Sequence, residues 1–225
     1  MHSVDILLAG VPGRTDQGYL GQSTVALVDG TTLVDTGGPS RQPLLEDTLA
    51  AAGVEPDDVE DVLLTHCHFD HCDNVDVFPG ATVHAYGPEL DRVLDGDTDW
   101  ATSTALPELL ADRDVSRFVE GDTVAGLEVV HTPGHAAQHV SFLGEATADG
   151  AALTVGLVGD AVKNIREFET RDPTTLHDEA VAAATIDALA DRLDFVVPGH
   201  DVPFYITDGG AEPCGDVALE LAVQT

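Results

Sequence analysis

Lysine is all but missing from this chain: Lys163 is the only one, and nine basic residues in all stand against 41 acids, a net charge of −32 at pH 7. A surface this negative repels phosphate backbones, whose recognition needs clustered Lys and Arg, so nucleic acid is not expected as a partner. In dilute buffer the same charges push a compact state apart, whereas at molar salt the screening length falls to about 3 Å and the repulsion collapses. The composition points to a halophilic, archaeal type of cytosol. Cysteine is scarce too. Cys67, Cys72 and Cys214 are odd in number and too few for a disulfide framework, which fits a reducing compartment. The opening stretch, MHSVDILLAG, lacks both a basic leader and a long apolar run, and reads as neither a signal peptide nor a membrane span. The expectation is a soluble, cytoplasmic protein with no membrane partner.

What is present suffices for a core: 225 residues, 43% of them apolar. No repeat, low-complexity tract or linker interrupts them, so residues 1–225 are expected to form one domain. In 24–36, TVALVDGTTLVDT, two apolar runs flank Asp29-Gly30, a hairpin signal. A helix over 40–52 is expected, with Ser40 as N-cap, Leu44, Leu45 and Leu49 on one face and Gly53 as its stop. Strands are readable at 61–65, 81–86, 126–131, 139–145, 153–159 and 194–198, and helices at 88–94, 175–192 and 216–223. The acidic stretch 95–114 fits a loop or short helices. Many strands with intermittent helices predict an α/β layered fold with covered sheets.

The chemistry concentrates in Thr65–Asn74, THCHFDHCDN, directly after the buried strand at 61–65. Alternate residues of an extended segment point the same way, so His66 and His68 can reach one metal ion. Asp70 and His71, at the turn into the next element, can reach a second. So many polar groups would be poor core material, each needing its own hydrogen-bond partner. Three later residues end strands in glycine-bearing turns: His135 in TPGH, Asp160 in GLVGD and His200 in VVPGH. The set divides into His66, His68 and His135 on one ion and Asp70, His71 and His200 on the other, with Asp160 bridging. Imidazole and carboxylate suit zinc first, with iron or manganese able to occupy the same ligands.

The pattern H-x-H-x-D-H followed by a distant His, Asp and His resembles the metallo-β-lactamase superfamily, and every position is matched between VDTGG at 34–38 and VVPGH at 196–200. The resemblance implies a four-layer αβ/βα sandwich with two metal ions at one edge between two sheets. It implies that Asp35 supports the ligand loop from behind. VDTGGP at 34–39, FPGA at 78–81 and VVPGHDVPF at 196–204 look like the group containing metallo-β-lactamase domain-containing protein 1. Members of that group are linked to RNA cleavage, which the charge of this chain argues against. An Asp, not a Cys, at the bridging position is more similar to glyoxalase II and lactonase-type hydrolases.

The implied activity is hydrolysis of a small ester, thioester, lactone or phosphoester by a metal-bound hydroxide, with Asp70 orienting that hydroxide as a catalytic residue. Alternatives on the same fold are a mononuclear iron oxygenase of the persulfide dioxygenase type and a nuclease. Lys163, Arg166 and Arg171 crowd into KNIREFETR just after Asp160, which predicts a cationic rim and an anionic small-molecule substrate. His139 reads as a hydrogen-bonded rim histidine, Tyr205 as packing, and Cys67 and Cys72 as small buried thiols.

Overall fold

A computed structural model describes residues 2–16, 18–148 and 151–214. Its first half runs β1 (Val4–Leu8), the small hairpin β2 (Arg14–Thr15) and β3 (Gly18–Tyr19), β4 (Val25–Val28), β5 (Thr32–Val34), α1 (Gln42–Ala52), β6 (Asp61–Leu63), α2 (Phe69–Cys72), β7 (Thr82–Tyr86), α3 (Gly87–Leu94), α4 (Leu106–Leu109) and β8 (Val115–Phe118). The second half runs β9 (Thr123–Val124), β10 (Leu127–His131), β11 (Val140–Ala148), β12 (Ala151–Gly159), α5 (Ile165–Thr170), α6 (Glu179–Ala190), β13 (Phe195–Pro198), β14 (Phe204–Thr207) and β15 (Gly210–Pro213). One sheet has the order β1-β4-β5-β6-β7-β8, the other β15-β14-β13-β12-β11-β10-β9. β5 to β8 pair in parallel, and in the second sheet only β12 and β13 do.

Period-two alternation sorts the side chains into layers. In β4, Val25 and Leu27 face a core shared with Leu45 and Leu49 of α1 and Leu90 of α3, while Ala26 and Val28 face Phe142, Val155 and Phe195 of the opposite sheet. In β13, Phe195 and Val197 face inward and Val196 faces Phe168 of α5 and Ile186 of α6. Helices, sheet, sheet and helices therefore form four layers, the αβ/βα sandwich that the resemblance implied. Among the described residues no helix is long and apolar enough to cross a membrane.

The hairpin at 24–36 is present as β4 and β5, with Asp29 (φ 52°) and Gly30 (φ 77°) both left-handed in its turn, as tight hairpin turns require. Helix 40–52 begins later than expected. Pro39–Arg41 is a 3-10 turn, Arg41 occupies the N-cap, and the Ser40 hydroxyl bonds Gln22 Oε1 instead of capping. Gly53 stops the helix in the left-handed region at φ 76°. Leu44 does not share the buried face: it is 48% exposed, because it lies about 100° around the helix from Leu45. The helix expected at 175–192 starts only at Glu179, capped by Asp178, since Leu176 N and Asp178 N bond His135 O and Gly134 O. Within 95–114 only α4 is helical. The edge strands β1, β8, β9 and β15, and β14 beside β15, escaped the sequence reading, being short and only partly buried. The helix expected at 216–223 lies outside the described residues.

Leu45→Ala should lower stability by about 2–5 kcal/mol, because a fully buried leucine leaves a cavity. Leu44→Ala should stay within about 0.5 kcal/mol. Thermal unfolding of both variants checks the facing: equal losses would contradict it.

Candidate metal centre

Both sheets deliver their functional residues to one edge. From the first sheet, the chain leaving β6 carries Thr65, His66 and His68 before α2 supplies Asp70 and His71. From the second, the β10–β11 loop brings His135, the end of β12 brings Asp160 and the end of β13 brings His200. All eight are at most 5% exposed. Three groupings place their ligand atoms within 4.8 Å of one another: His66, His68 and His135; His66, His71 and Asp160; Asp70, His71 and His200. Asp160 touches both halves, with Oδ1 3.2 Å from His71 Nε2 and 3.1 Å from His200 Nε2, and Oδ2 3.2 Å from His135 Nε2. Asp70 Oδ2 is 3.6 Å from His200 Nε2.

Proton bookkeeping shows what this arrangement can hold. His71 Nδ1–H donates to Asp35 Oδ2 at 2.7 Å, and His200 Nδ1–H to the Gln22 carbonyl at 2.9 Å. Thr65 Oγ1 donates to Asp35 Oδ2 at 2.8 Å, so it accepts from His66 Nδ1–H at 3.0 Å. His68 Nε2 lies 3.4 Å from Asp99 Oδ2. Each of these four imidazoles therefore spends its N–H outward and turns a lone pair inward. There the lone pairs meet, with His135 Nε2 3.0 Å from His68 Nδ1. The acceptors His66 Nε2, His71 Nε2, Asp70 Oδ2 and Asp160 Oδ1 are buried without a hydrogen-bond partner, as is Nδ1 of His135 on the other edge of its ring. Orphaned buried acceptors are costly, and a cation among them removes the cost, so the donor set fits divalent metal ions.

The electrostatics agree. Burial works against a charged His71, yet the carboxylates of Asp35, Asp160 and Asp70 outweigh it and hold its pKa well above the usual value. Burial also opposes ionisation of Asp160, but His200, His135 and His71 hold its carboxyl well below the usual range. The carboxylates thus call for positive charge inside the site. Burial pushes His66 well below its ordinary pKa, with His71 and His68 adding to it, and burial does the same to His135.

Behind the cluster, Asp35 sits at φ 57°, a left-handed conformation that only strong local bonding sustains outside glycine. Its N–H bonds Leu63 O at 2.9 Å and its Oδ1 accepts from Thr65 N at 2.9 Å. Gly159 is equally constrained: at φ 48°, an added Cβ would lie 2.7 Å from Thr65 Oγ1 and 3.0 Å from His139 Nε2.

His139 departs from its sequence reading. It is fully buried instead of lying on the rim, its Nε2 accepts from Asp160 N–H at 3.1 Å, and its Nδ1 meets Thr132 Oγ1 at 2.9 Å. With Nε2 so occupied it positions Asp160. Thr65 and Asp99 were not singled out either. Thr65 had a signal, as the hydroxyl next to the first ligand, whereas Asp99 comes from a loop whose spacing carries none. Burial opposes ionisation of Asp99, but His68, the N–H of Ala101 and the hydroxyl of Thr102 hold its carboxyl well below the usual range.

A cavity of about 760 Å³ opens over the cluster, lined by His68, Asp70, His135, Asp160 and His200 and by Lys163, Phe69, Trp100 and Leu176 among others. Of the three expected rim cations only Lys163 reaches it, its Nζ donating to Thr174 O. Arg166 pairs with Asp172 at 2.6 Å and Arg171 with Asp187 at 2.7 Å, both away from the cavity lining. Tyr205 packs on Phe195, and Cys67 and Cys72 are buried thiols whose pKa burial raises.

A family model described as the metallo-beta-lactamase superfamily matches residues 18–200. The chain belongs to this superfamily. It is 31% identical over 194 residues to mouse metallo-beta-lactamase domain-containing protein 1, covering 86% of this chain and 68% of that protein. To the human protein of that name it is 34% identical over 185 residues, covering 82% of this chain and 63% of that one. The chain thus spans about two thirds of the length of these relatives. An N-acyl homoserine lactonase of Bacillus thuringiensis is 28% identical over 160 residues, 68% of this chain and 60% of the lactonase. Among solved structures, an N-acyl homoserine lactone hydrolase with its product bound at the catalytic metal centre superposes with a TM-score of 0.68 at 20% identity, covering 89% of this chain and 93% of that one. At that identity the likeness supports the superfamily's fold.

The His139 geometry requires a neutral ring, and burial lowers its pKa to about 3, with Asp160 pulling the other way. The unfolded chain takes up this proton near pH 6.5, the folded chain only near pH 3. Between those values the unfolded state binds more protons, so stability falls as pH falls, by about 1.4 kcal/mol per unit from this group. Urea unfolding of wild type and His139→Asn from pH 7 to 4 should show a shallower slope in the variant; parallel slopes would contradict the assignment.

Proposed function

We propose that this chain is a metal-dependent hydrolase holding two zinc ions, acting on a small, anionic ester, thioester, lactone or phosphoester. The observation that carries the reading is the proton inventory: the outward N–H groups of His66, His68, His71 and His200 each held by an acceptor, inward lone pairs shared under one open cavity. His66, His68 and His135 would hold one ion and Asp70, His71 and His200 the other, with Asp160 between them. Divalent ions in such a site supply Lewis acidity and lower the pKa of a water to about 7. Asp70 accepts a hydrogen bond from the attacking water and orients it toward the scissile carbon or phosphorus. Asp35 keeps His71 in the tautomer that presents Nε2, Thr65 does the same for His66, and Asp99 for His68. Lys163, the one described cation lining the cavity, attracts an anionic group of the substrate. The matched lactonase and the absence of a cysteine ligand support the ester and lactone side of this class.

The charge of −32 supports two further proposals: a halophilic cytosolic setting, and a substrate that is not a polynucleotide. We also treat residues 1–225 as one domain.

Turnover of chromogenic esters, thioesters, lactones and phosphodiesters tests the class. Asp70→Ala should remove at least 99% of activity while circular dichroism stays native; undiminished turnover would overturn its role. Oxygen consumption with iron bound, in place of hydrolysis, would favour an oxygenase. Lys163→Ala should raise KM for an anionic substrate about tenfold and leave KM for a neutral analogue within twofold, with kcat little changed. Equal effects on both substrates would assign Lys163 to structure. In a KCl series, the folded signal should grow from dilute buffer to molar salt. A fold equally stable at both ends would remove the halophilic reading.

A further inference from the structure

Among the described residues eight large apolar side chains are well exposed; two of them line the cavity and two more stand next to residues that line it. Trp100 (65% exposed) and Leu176 (40%) line it directly. Val11 (49%) adjoins Pro12 and Leu20 (61%) adjoins Gly13, both of which line it; Leu20 N bonds Gly13 O at 2.8 Å. The other four, Leu44, Leu94, Val119 and Val181, are scattered over α1, α3, the end of β8 and α6. In a chain this acidic, such clustering is the mark of a binding surface.

The collar is also fixed to the cluster beneath it. Phe69 N bonds Ala101 O at 2.9 Å and Ser103 N bonds Cys67 O at 2.8 Å, so the loop bearing Trp100 is stitched to the segment bearing His68. Leu176 N bonds His135 O at 3.2 Å. Apolar surface and polar floor therefore keep a set separation, and a ligand spanning both meets a preorganised site. Four side chains are far fewer than the roughly 20–30 residues a side of a stable protein interface, whereas the cavity volume of about 760 Å³ is that of a small-molecule site.

We propose that the cavity takes an amphiphilic substrate, with its hydrolysable ester, thioester or lactone head over the histidine and aspartate floor and an acyl or aryl arm against Val11, Leu20, Trp100 and Leu176. The head rests on the hydrolase reading; the arm rests on the collar alone.

Trp100 is the only tryptophan in the chain, so intrinsic fluorescence reports on the collar directly. The probe is a series of straight-chain carboxylates from butyrate to decanoate, below micelle formation, added to the intact protein in molar KCl. Emission should move to shorter wavelength, with Kd falling by up to about fourfold per methylene, the equivalent of about 0.8 kcal/mol per buried CH₂. Leu20→Ala and Leu176→Ala should flatten that dependence, and Val119→Ala, on a distant exposed site, should not. Absence of any shift, or a Kd independent of chain length, would overturn the proposal. So would ligand-free emission that shifts with protein concentration, which would assign the collar to a second copy of the chain. Chain-length-dependent binding without hydrolysis of any substrate would remove the hydrolase reading and leave the collar standing; turnover of short esters with flat binding would do the reverse.

Discussion

Five imidazoles and two carboxylates cannot share one buried space with their lone pairs facing each other unless positive charge lies between them, and much of this structure is arranged around that constraint. Each outward N–H has to be anchored, or the rings would rotate and satisfy one another. Asp35, Thr65, Asp99 and the Gln22 carbonyl supply the anchors, and each comes from a different part of the chain. The first sheet supplies Asp35 just past β5 and Thr65 just past β6, neighbouring parallel strands, which is why one carboxylate can reach both Thr65 and His71. The site is thus a consequence of the sandwich: strand ends from two sheets meet at one edge, and the buried face between the sheets holds them in place.

Backbone conformation follows the same requirement. In its left-handed conformation Asp35 sends Oδ1 to Thr65 N and Oδ2 to Thr65 Oγ1 and His71 Nδ1 while its peptide N–H finds Leu63 O. Gly159 and Gly199 admit no side chain, since a Cβ at Gly199 would fall 2.2 Å from Asp160 Oδ1. His139 completes the inner wall from the second sheet, holding the Asp160 peptide N–H and passing its own N–H to Thr132, which meets Ser141 Oγ at 2.9 Å.

How much of this the sequence shows depends on whether a feature is local. The strands at 61–65, 126–131 and 194–198 were legible because apolar runs end in turn residues, and the ligands because His and Asp recur at metal-binding spacing next to those turns. The hairpin around Asp29-Gly30 was legible from two residues. Ser40 misled as a cap because its partner, Gln22, comes from a distant loop. Arg166 and Arg171 misled because neighbours in sequence diverge on a short helix and its C-cap, so that only Lys163, before α5, turns to the cavity. Asp99 and Trp100 were not legible at all. Their places are set by backbone bonds to the segment bearing His68, Phe69 N to Ala101 O and Ser103 N to Cys67 O, long-range contacts without a periodic signature.

The convergence of lone pairs is tested most directly by the metal content of protein purified in molar KCl, measured by plasma mass spectrometry together with the unfolding midpoint before and after chelation. Two equivalents of divalent metal per chain are expected, with a clear fall in the midpoint once they are stripped, because stripping leaves the buried acceptors orphaned. A chain that retains less than one equivalent and unfolds at the same midpoint with and without chelator would contradict it.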